Sequence, residues 1–236
     1  MNPSGSWLPA SHIPPFLGGI SRGAAPCLVL ASASPRRREL LAAIGIDPII
    51  DPSTLSEPDR NPGESPASYV MRAARGKARE VAGRHPAGMI VGADTIVVVH
   101  DRILGKPASA RDAARMLRML SGRWHEVFTG VCIIQNGTGR SAAAHSRSRV
   151  HMRRLLQTDL DWYLSTGEYL DKAGAYAIQG YASLFIDRIE GCYFNIVGFP
   201  IFTFALLCSR LGGKIPFPKP PGKPPSRIFE PFEPSR

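Results

Sequence analysis

Apolar residues along this chain fall into short continuous runs that alternate with stretches of helical period, and this order predicts an α/β protein. Leu28-Val29-Leu30-Ala31 reads as a buried strand. Ser34 then stands as an N-cap, Pro35 fits the first helical position, and Leu40, Leu41 and Ile44 form a stripe that stops before Gly45. Residues 47 to 63 read as a strand followed by a loop. Ser65-Pro66 opens a helix to about Gly83, with Val70, Ala73, Ala74, Ala78 and Val81 as its apolar stripe. "GMIVGADTIVVV", residues 88 to 99, predicts a long buried strand, followed by a turn at His100-Asp101, a loop "LGKPAS" and a helix from Ala110 to Leu120.

"WHEVFTGVCIIQ" and "SAAAHSRSRVHMR" flank a turn at Asn136-Gly137-Thr138-Gly139 and predict an antiparallel pair. Thr158 caps a short helix through Thr166, and "DKAGAYAIQG" reads as a short helix or irregular segment. "SLFIDRIEG" and "CYFNIV" read as a second strand pair before a last helix from about Pro200 to Leu211. Strands interleaved with helices, but with hairpins in the middle, predict a mixed twisted sheet with flanking helices. No repeat of 20–50 residues is visible, which speaks against a solenoid or propeller.

Composition narrows this picture. With 236 residues, 44% of them hydrophobic, the chain is long enough for one α/β domain with a sizeable core or two small lobes. Residues 1–25 are expected to be a flexible extension and residues 213–236 a Pro/Lys-rich disordered tail, which leaves 26–212 as the functional domain. The net charge of +10 suits a polyanionic ligand, though solvated Lys and Arg produce the same balance. Cys27, Cys132, Cys192 and Cys208 lack metal-ligand spacing and lie in apolar contexts, as expected of reduced core residues in a cytoplasmic protein. The N-terminal stretch lacks the pattern of a signal peptide. The apolar segment Phe194 to Cys208 is short for a membrane span and contains Asn195 and Pro200, so no membrane partner is expected.

Four places break the rules of their local structure. Arg36, Arg37 and Arg38 occupy the first turn of a helix, where the positive end of the dipole disfavours each cation by about 0.3–1 kcal/mol. With Ser32 and Ser34 they form a strand-to-helix turn whose N–H groups, hydroxyls and guanidiniums suit a phosphate chain, although the Walker spacing is absent. The alternative is that the arginines face water or pair with Glu39 and Asp47. Lys77 is four residues after Ala73 and four before Val81, so its stem starts on the packed face; snorkelling to the helix edge is the alternative.

Asp94 shares a strand face with Ile90, Ile96 and Val98, while Val91, Val97 and Val99 make the other face apolar too. A carboxylate there is costly unless it is ion-paired, metal-bound or placed at a cleft that uses it. Lys106, in a compact loop downstream of that strand, fits a site where phosphate charge is neutralised while a water is activated.

The segments "ASASPRRRELL", "ARGKA", "GADTIVV", "LGKP", "SGRWHEVFTG", "DKAGAYAIQG" and "NIVGFP" resemble, in order and spacing over residues 27 to about 212, the Maf family of nucleoside triphosphate pyrophosphatases. The resemblance implies two α/β lobes around a central nucleotide-binding cleft. It also implies a metal-dependent reaction that converts a nucleoside triphosphate into the monophosphate and pyrophosphate. "GADT" and "AIQG" resemble the branch acting on dTTP and UTP, whereas the branch acting on 7-methyl-GTP has a GSDQ-like and a Ser-Glu-Gly-like segment at those places.

By the same resemblance Asp94 is the proton acceptor, and Arg36, Thr95 and Gln179 are the specificity positions. Ser32, Ser34, Arg36, Arg37, Lys77 and Lys106 hold and neutralise the triphosphate. Mg²⁺ or Mn²⁺ is the expected cofactor, with Asp94 and Glu57 as its acidic ligands, since hard oxygen donors suit those ions. A homodimer is the expected assembly. The rival reading is a non-catalytic nucleotide- or nucleic-acid-binding regulator of cell division. Against it, single-strand readers interleave stacking aromatics with basic residues, and the tail offers only Phe217, Phe229 and Phe232; no specific nucleic-acid partner is expected. If Arg36 and Arg37 serve only a ligand, replacing either leaves the empty fold intact or slightly steadier, with Arg38 pointing elsewhere.

Overall fold

A computed structural model describes residues 27–212, so the expected extension at 1–25 and tail at 213–236 lie outside the described residues. The elements follow in the order β1 (Leu28–Leu30), α1 (Pro35–Ala43), β2 (Ile49–Ile50), α2 (Pro66–Ala82), β3 (Gly88–Val99), β4 (Arg102–Leu104) and α3 (Ala110–Leu120). Then come β5 (Arg123–Asn136), β6 (Arg140–Met152), α4 (Gln157–Ser165), β7 (Ile186–Glu190), α5 (Tyr193–Val197) and α6 (Ile201–Arg210).

All strands join one seven-stranded sheet in the order β2-β1-β3-β5-β6-β7, with β4 hairpinned onto β3. β1 runs parallel to β2 and β3, and the other pairings are antiparallel. This is the mixed sheet with flanking helices that the sequence predicts.

Alternate residues of β3 serve two different cores. Met89, Val91 and Ala93 pack with Leu41, Phe199 and Phe204 from α1 and the α5–α6 region, whereas Val97 and Val99 pack with Leu117 of α3 and Tyr163 of α4. The opposite face of the strand lies under α2: Ile90 meets Ala74, Ala78 and Val81, and Ile96 and Val98 meet Tyr69 and Val70. A strand buried on both faces reads as a near-continuous apolar run, which is why Asp94 stands out within it.

Several local expectations are corrected. "LGKPAS" is entered through a short strand, because Arg102–Leu104 fold back on β3 after His100 and Asp101 adopt left-handed φ angles of 47° and 59°. Thr158 lies inside α4 rather than capping it. The helix begins after Leu156, whose N–H is held at 2.8 Å by the carboxylate of Asp159. "CYFNIV" is a helix, not a strand: Tyr193–Val197 form α5, closed at Gly198 by a left-handed φ of 118°. An apolar run of that length has no periodicity to separate the two states. Cys132 and Cys208 are buried as expected, but Cys27 is exposed and Cys192 half-buried; all four are unpaired.

Candidate functional site

β3 runs along the floor of a cleft of about 700 Å³. Two glycines let α2 lie unusually close to it. A Cβ on Gly92 would stand 2.2 Å from the Ala74 carbonyl oxygen, and one on Gly130 would stand 2.3 Å from that of Val70. This close approach brings the Lys77 ammonium over the sheet, where Nζ donates to Asp94 Oδ1 at 2.5 Å. The Asp94 side chain is only 5% exposed, so the pair is largely withdrawn from water. Among the alternatives for this carboxylate, the structure realises an ion pair, and it does so on the floor of a cleft. Oδ2 has no hydrogen-bond partner among the described residues.

The β1–α1 turn forms one wall. Ser34 occupies the N-cap position with extended backbone, yet its side chain makes no cap bond and the first turn of α1 holds no acid. Its hydroxyl and the positive end of the helix therefore remain available to an anion. Ser32 Oγ accepts from the Ser34 N–H at 3.3 Å and from Arg37 Nη1 at 2.8 Å.

Adjacent arginines are treated differently. Arg37 Nε donates to the Gly198 carbonyl at 3.0 Å, Nη1 to the Ala93 carbonyl at 3.0 Å as well as to Ser32, and Nη2 to Thr95 Oγ1 at 3.1 Å. Four of its five N–H groups are thus spent on protein, tying α1 to the β1–α1 turn, β3 and the α5–α6 junction. Burial pulls its pKa down, opposed by the charge of Asp94. Arg36 has no hydrogen bond or ion pair with any described residue, and burial lowers its pKa against weaker opposition from Glu39 and Asp171. Arg38 is exposed and absent from the cleft wall.

Thr95 faces the same clamp. Its hydroxyl lies 2.9 Å from that of Thr129 and 3.3 Å from the Gly198 carbonyl, and Thr129 donates onward to the Asn195 carbonyl at 3.1 Å. The opposite rim carries Lys106, after β4, and Gln179, both exposed. A bond from the Gly174 N–H to the Gly105 carbonyl at 3.0 Å joins their two segments. Glu57 is an exposed carboxylate on the loop before α2.

All ten sequence-predicted site residues line this one cleft. The sequence reading missed Lys172, Asp171 and Tyr69, which line it too. Lys172 has its pKa lowered by burial and then by Arg36, and its ammonium donates to the Leu170 carbonyl at 3.1 Å, so a second cation shares the wall with Arg36. Its segment is irregular, and no periodicity marks which polar side chains turn inward. The Tyr69 phenol is pushed up by burial, with Asp94 and Glu57 adding to it.

Comparison with known proteins agrees with the geometry. A family model described as "Maf-like protein" matches residues 27–211. A dTTP/UTP pyrophosphatase of Anaeromyxobacter dehalogenans is 48% identical over 198 residues, covering 83% of this chain and 100% of that protein. One from Moorella thermoacetica is 49% identical over 185 residues, 78% of this chain and 95% of that protein. One from Pyrococcus abyssi is 46% identical over 192 residues, 81% of this chain and 99% of that protein.

Proposed function

The chain belongs to the family of Maf-like proteins, and from that premise and the cleft geometry we propose that it is a pyrophosphatase that hydrolyses dTTP and UTP to the monophosphate and pyrophosphate. One observation carries the reading: a buried carboxylate, Asp94, sits on the floor of a cleft that holds two cations, Arg36 and Lys106, without hydrogen-bond partners among the described residues. A binding module gains nothing from that carboxylate, so the non-catalytic alternative is not favoured.

In this reading Asp94 Oδ2 accepts the proton of a water whose oxygen bonds to phosphorus as the α–β anhydride breaks and pyrophosphate leaves. Lys77 balances and orients the carboxylate through Oδ1. Arg36, Lys106 and Lys172 neutralise the charge that develops on the departing phosphates, and Ser34 fixes them through its unspent hydroxyl. The remaining N–H of Arg37 reaches the same anion. Gln179 reads the base, since its amide offers both a donor and an acceptor to the edge of uracil or thymine.

Asp94 and Glu57 are hard oxygen donors, and the described residues contain no group of three or more His, Cys, Asp or Glu able to enclose a metal ion. Such a donor set fits Mg²⁺ or Mn²⁺ held by one or two carboxylates together with substrate phosphates. When bound, that cation supplies further charge neutralisation at the phosphates. Among the described residues no helix is long and apolar enough to cross a membrane. Incubation with a panel of triphosphates plus Mg²⁺ or Mn²⁺, with products resolved by ion-exchange chromatography, tests the reading. UMP, dTMP and pyrophosphate are expected; diphosphates with orthophosphate, or no turnover, would overturn it.

A further inference from the structure

Gln179 lies on a stretch, residues 177 to 180, with no helix or strand of its own to hold it. Its two ends are tied from outside the cleft. At the near end the Tyr176 hydroxyl lies 2.7 Å from His125 Nε2, with the rings edge to face and both residues buried. At the far end the tie is Glu168. Its Oε2 accepts the Tyr181 N–H at 2.7 Å, while Oε1 accepts the Ala182 N–H at 3.1 Å and the Tyr163 hydroxyl at 3.2 Å.

The carboxylate thereby caps the short 3₁₀ turn Tyr181–Phe185 that begins directly after Gly180. It also fills the space beneath that glycine: a Cβ on Gly180 would stand 2.2 Å from Oε2, and its φ of 107° is one that side-chain-bearing residues rarely adopt. Glu168 itself does not line the cleft. Its charge is spent on two backbone N–H groups, of Tyr181 and Ala182, that follow Gln179, and on the Tyr163 hydroxyl that anchors it to α4; charge-assisted bonds are the stronger kind.

We propose that Glu168 is a positioning residue for base recognition, holding the backbone that follows Gln179 so that the Gln179 amide meets a pyrimidine edge at a fixed place and angle. This rests on the reading of the cleft as a dTTP and UTP site. Uracil presents an N–H beside a carbonyl oxygen, whereas cytosine presents a ring nitrogen acceptor beside an amino group. An amide that is free to move or turn over satisfies either edge. Selectivity for uracil over cytosine therefore requires the residue to be held, and the backbone is where holding begins.

The test compares wild type with Glu168→Gln, which keeps the shape but turns one acceptor into a donor facing backbone N–H groups. The ratio of kcat/KM for UTP to that for CTP is expected to fall about tenfold or more, because small misplacements are costly at a reacting complex. A purely structural weakening lowers both rates and leaves the ratio alone. Glu168→Asp, which keeps the charge with a shorter reach, is expected to show a milder fall and serves where the first variant folds poorly. Amide hydrogen exchange supplies a readout independent of turnover: faster exchange confined to residues 177 to 182 is expected. An unchanged ratio with wild-type exchange overturns the role of Glu168 alone. A wild type that releases no pyrophosphate from UTP overturns the reading of the cleft, and Gln179's role with it, whatever the exchange shows.

Discussion

Lys77 Nζ lies 2.5 Å from Asp94 Oδ1, and the relationship exists because Gly92 and Gly130 allow α2 to rest almost on the strand backbone. Buried ion pairs contribute little net stability, since desolvation offsets most of the attraction. This one is better understood as a means of keeping a carboxylate in an apolar strand at the floor of a cleft.

The two partners can be separated experimentally. Lys77→Met leaves a buried charge without its partner and is expected to cost about 3–5 kcal/mol in urea unfolding. Lys77→Met/Asp94→Leu should recover most of that stability and no activity. Asp94→Asn should fold and bind nucleotide while turnover falls by ~10²–10⁴-fold. Turnover retained in folded Asp94→Asn would return Asp94 to a structural role.

The three arginines of α1 should behave as three different residues. Arg36→Ala should weaken nucleotide binding and leave the apo melting temperature unchanged or slightly higher, as the sequence reading expects for a cation at the positive end of a helix. For Arg37 the geometry revises that expectation. Its side chain makes four bonds to four other residues, so Arg37→Ala should lower the apo melting temperature by several degrees. Arg38→Ala should change neither quantity. Melting with and without UTP distinguishes them, and equal loss of ligand stabilisation at Arg36 and Arg38 would refute the phosphate cradle.

Where pattern and chemistry coincide, the chain is legible. Ser65-Pro66 opens α2 as the capping rules require, and the Ser65 hydroxyl accepts the Ser68 N–H at 3.1 Å. Asp94, Lys77 and the arginines announce themselves because each is unfavourable where local structure puts it, and Lys106 stands out only beside them. What the sequence hides is of two kinds. Short elements such as β4 and α5 lack enough residues for a period to show, and their state is set by tertiary contacts. The division of labour between Arg36 and Arg37 depends on which carbonyls converge from Ala93 and Gly198, far apart in sequence. Lys172 and Glu168 sit in or near irregular backbone, where inward and outward positions follow no rule.

The buried His125 gives the fold a distinctive response to acid. Burial pushes its pKa from 6.5 down to about 4, with the Arg123 backbone opposing and His151 adding. Its Nδ1 has no hydrogen-bond partner among the described residues, and the residue is 2% exposed, so solvent relieves little of the cost of charging it. Between those two pKa values the unfolded chain binds the proton and the native state does not. This contribution, about 3 kcal/mol from the size of the shift, is therefore complete above pH 6.5 and is lost as pH falls towards 4. Glu64, held down to about 2 by Arg72, acts in a lower window, losing its contribution only as pH falls below about 4.5. Unfolding of wild type and His125→Gln by urea at about pH 7.5, 5.5, 4 and 3 separates the two. The glutamine amide can still meet the Tyr176 hydroxyl, so the variant should fold, with a shallower decline between pH 6.5 and 4 and an unaltered one below. Parallel declines in the two proteins would mean that His125 titrates no differently in the folded chain than in the unfolded one.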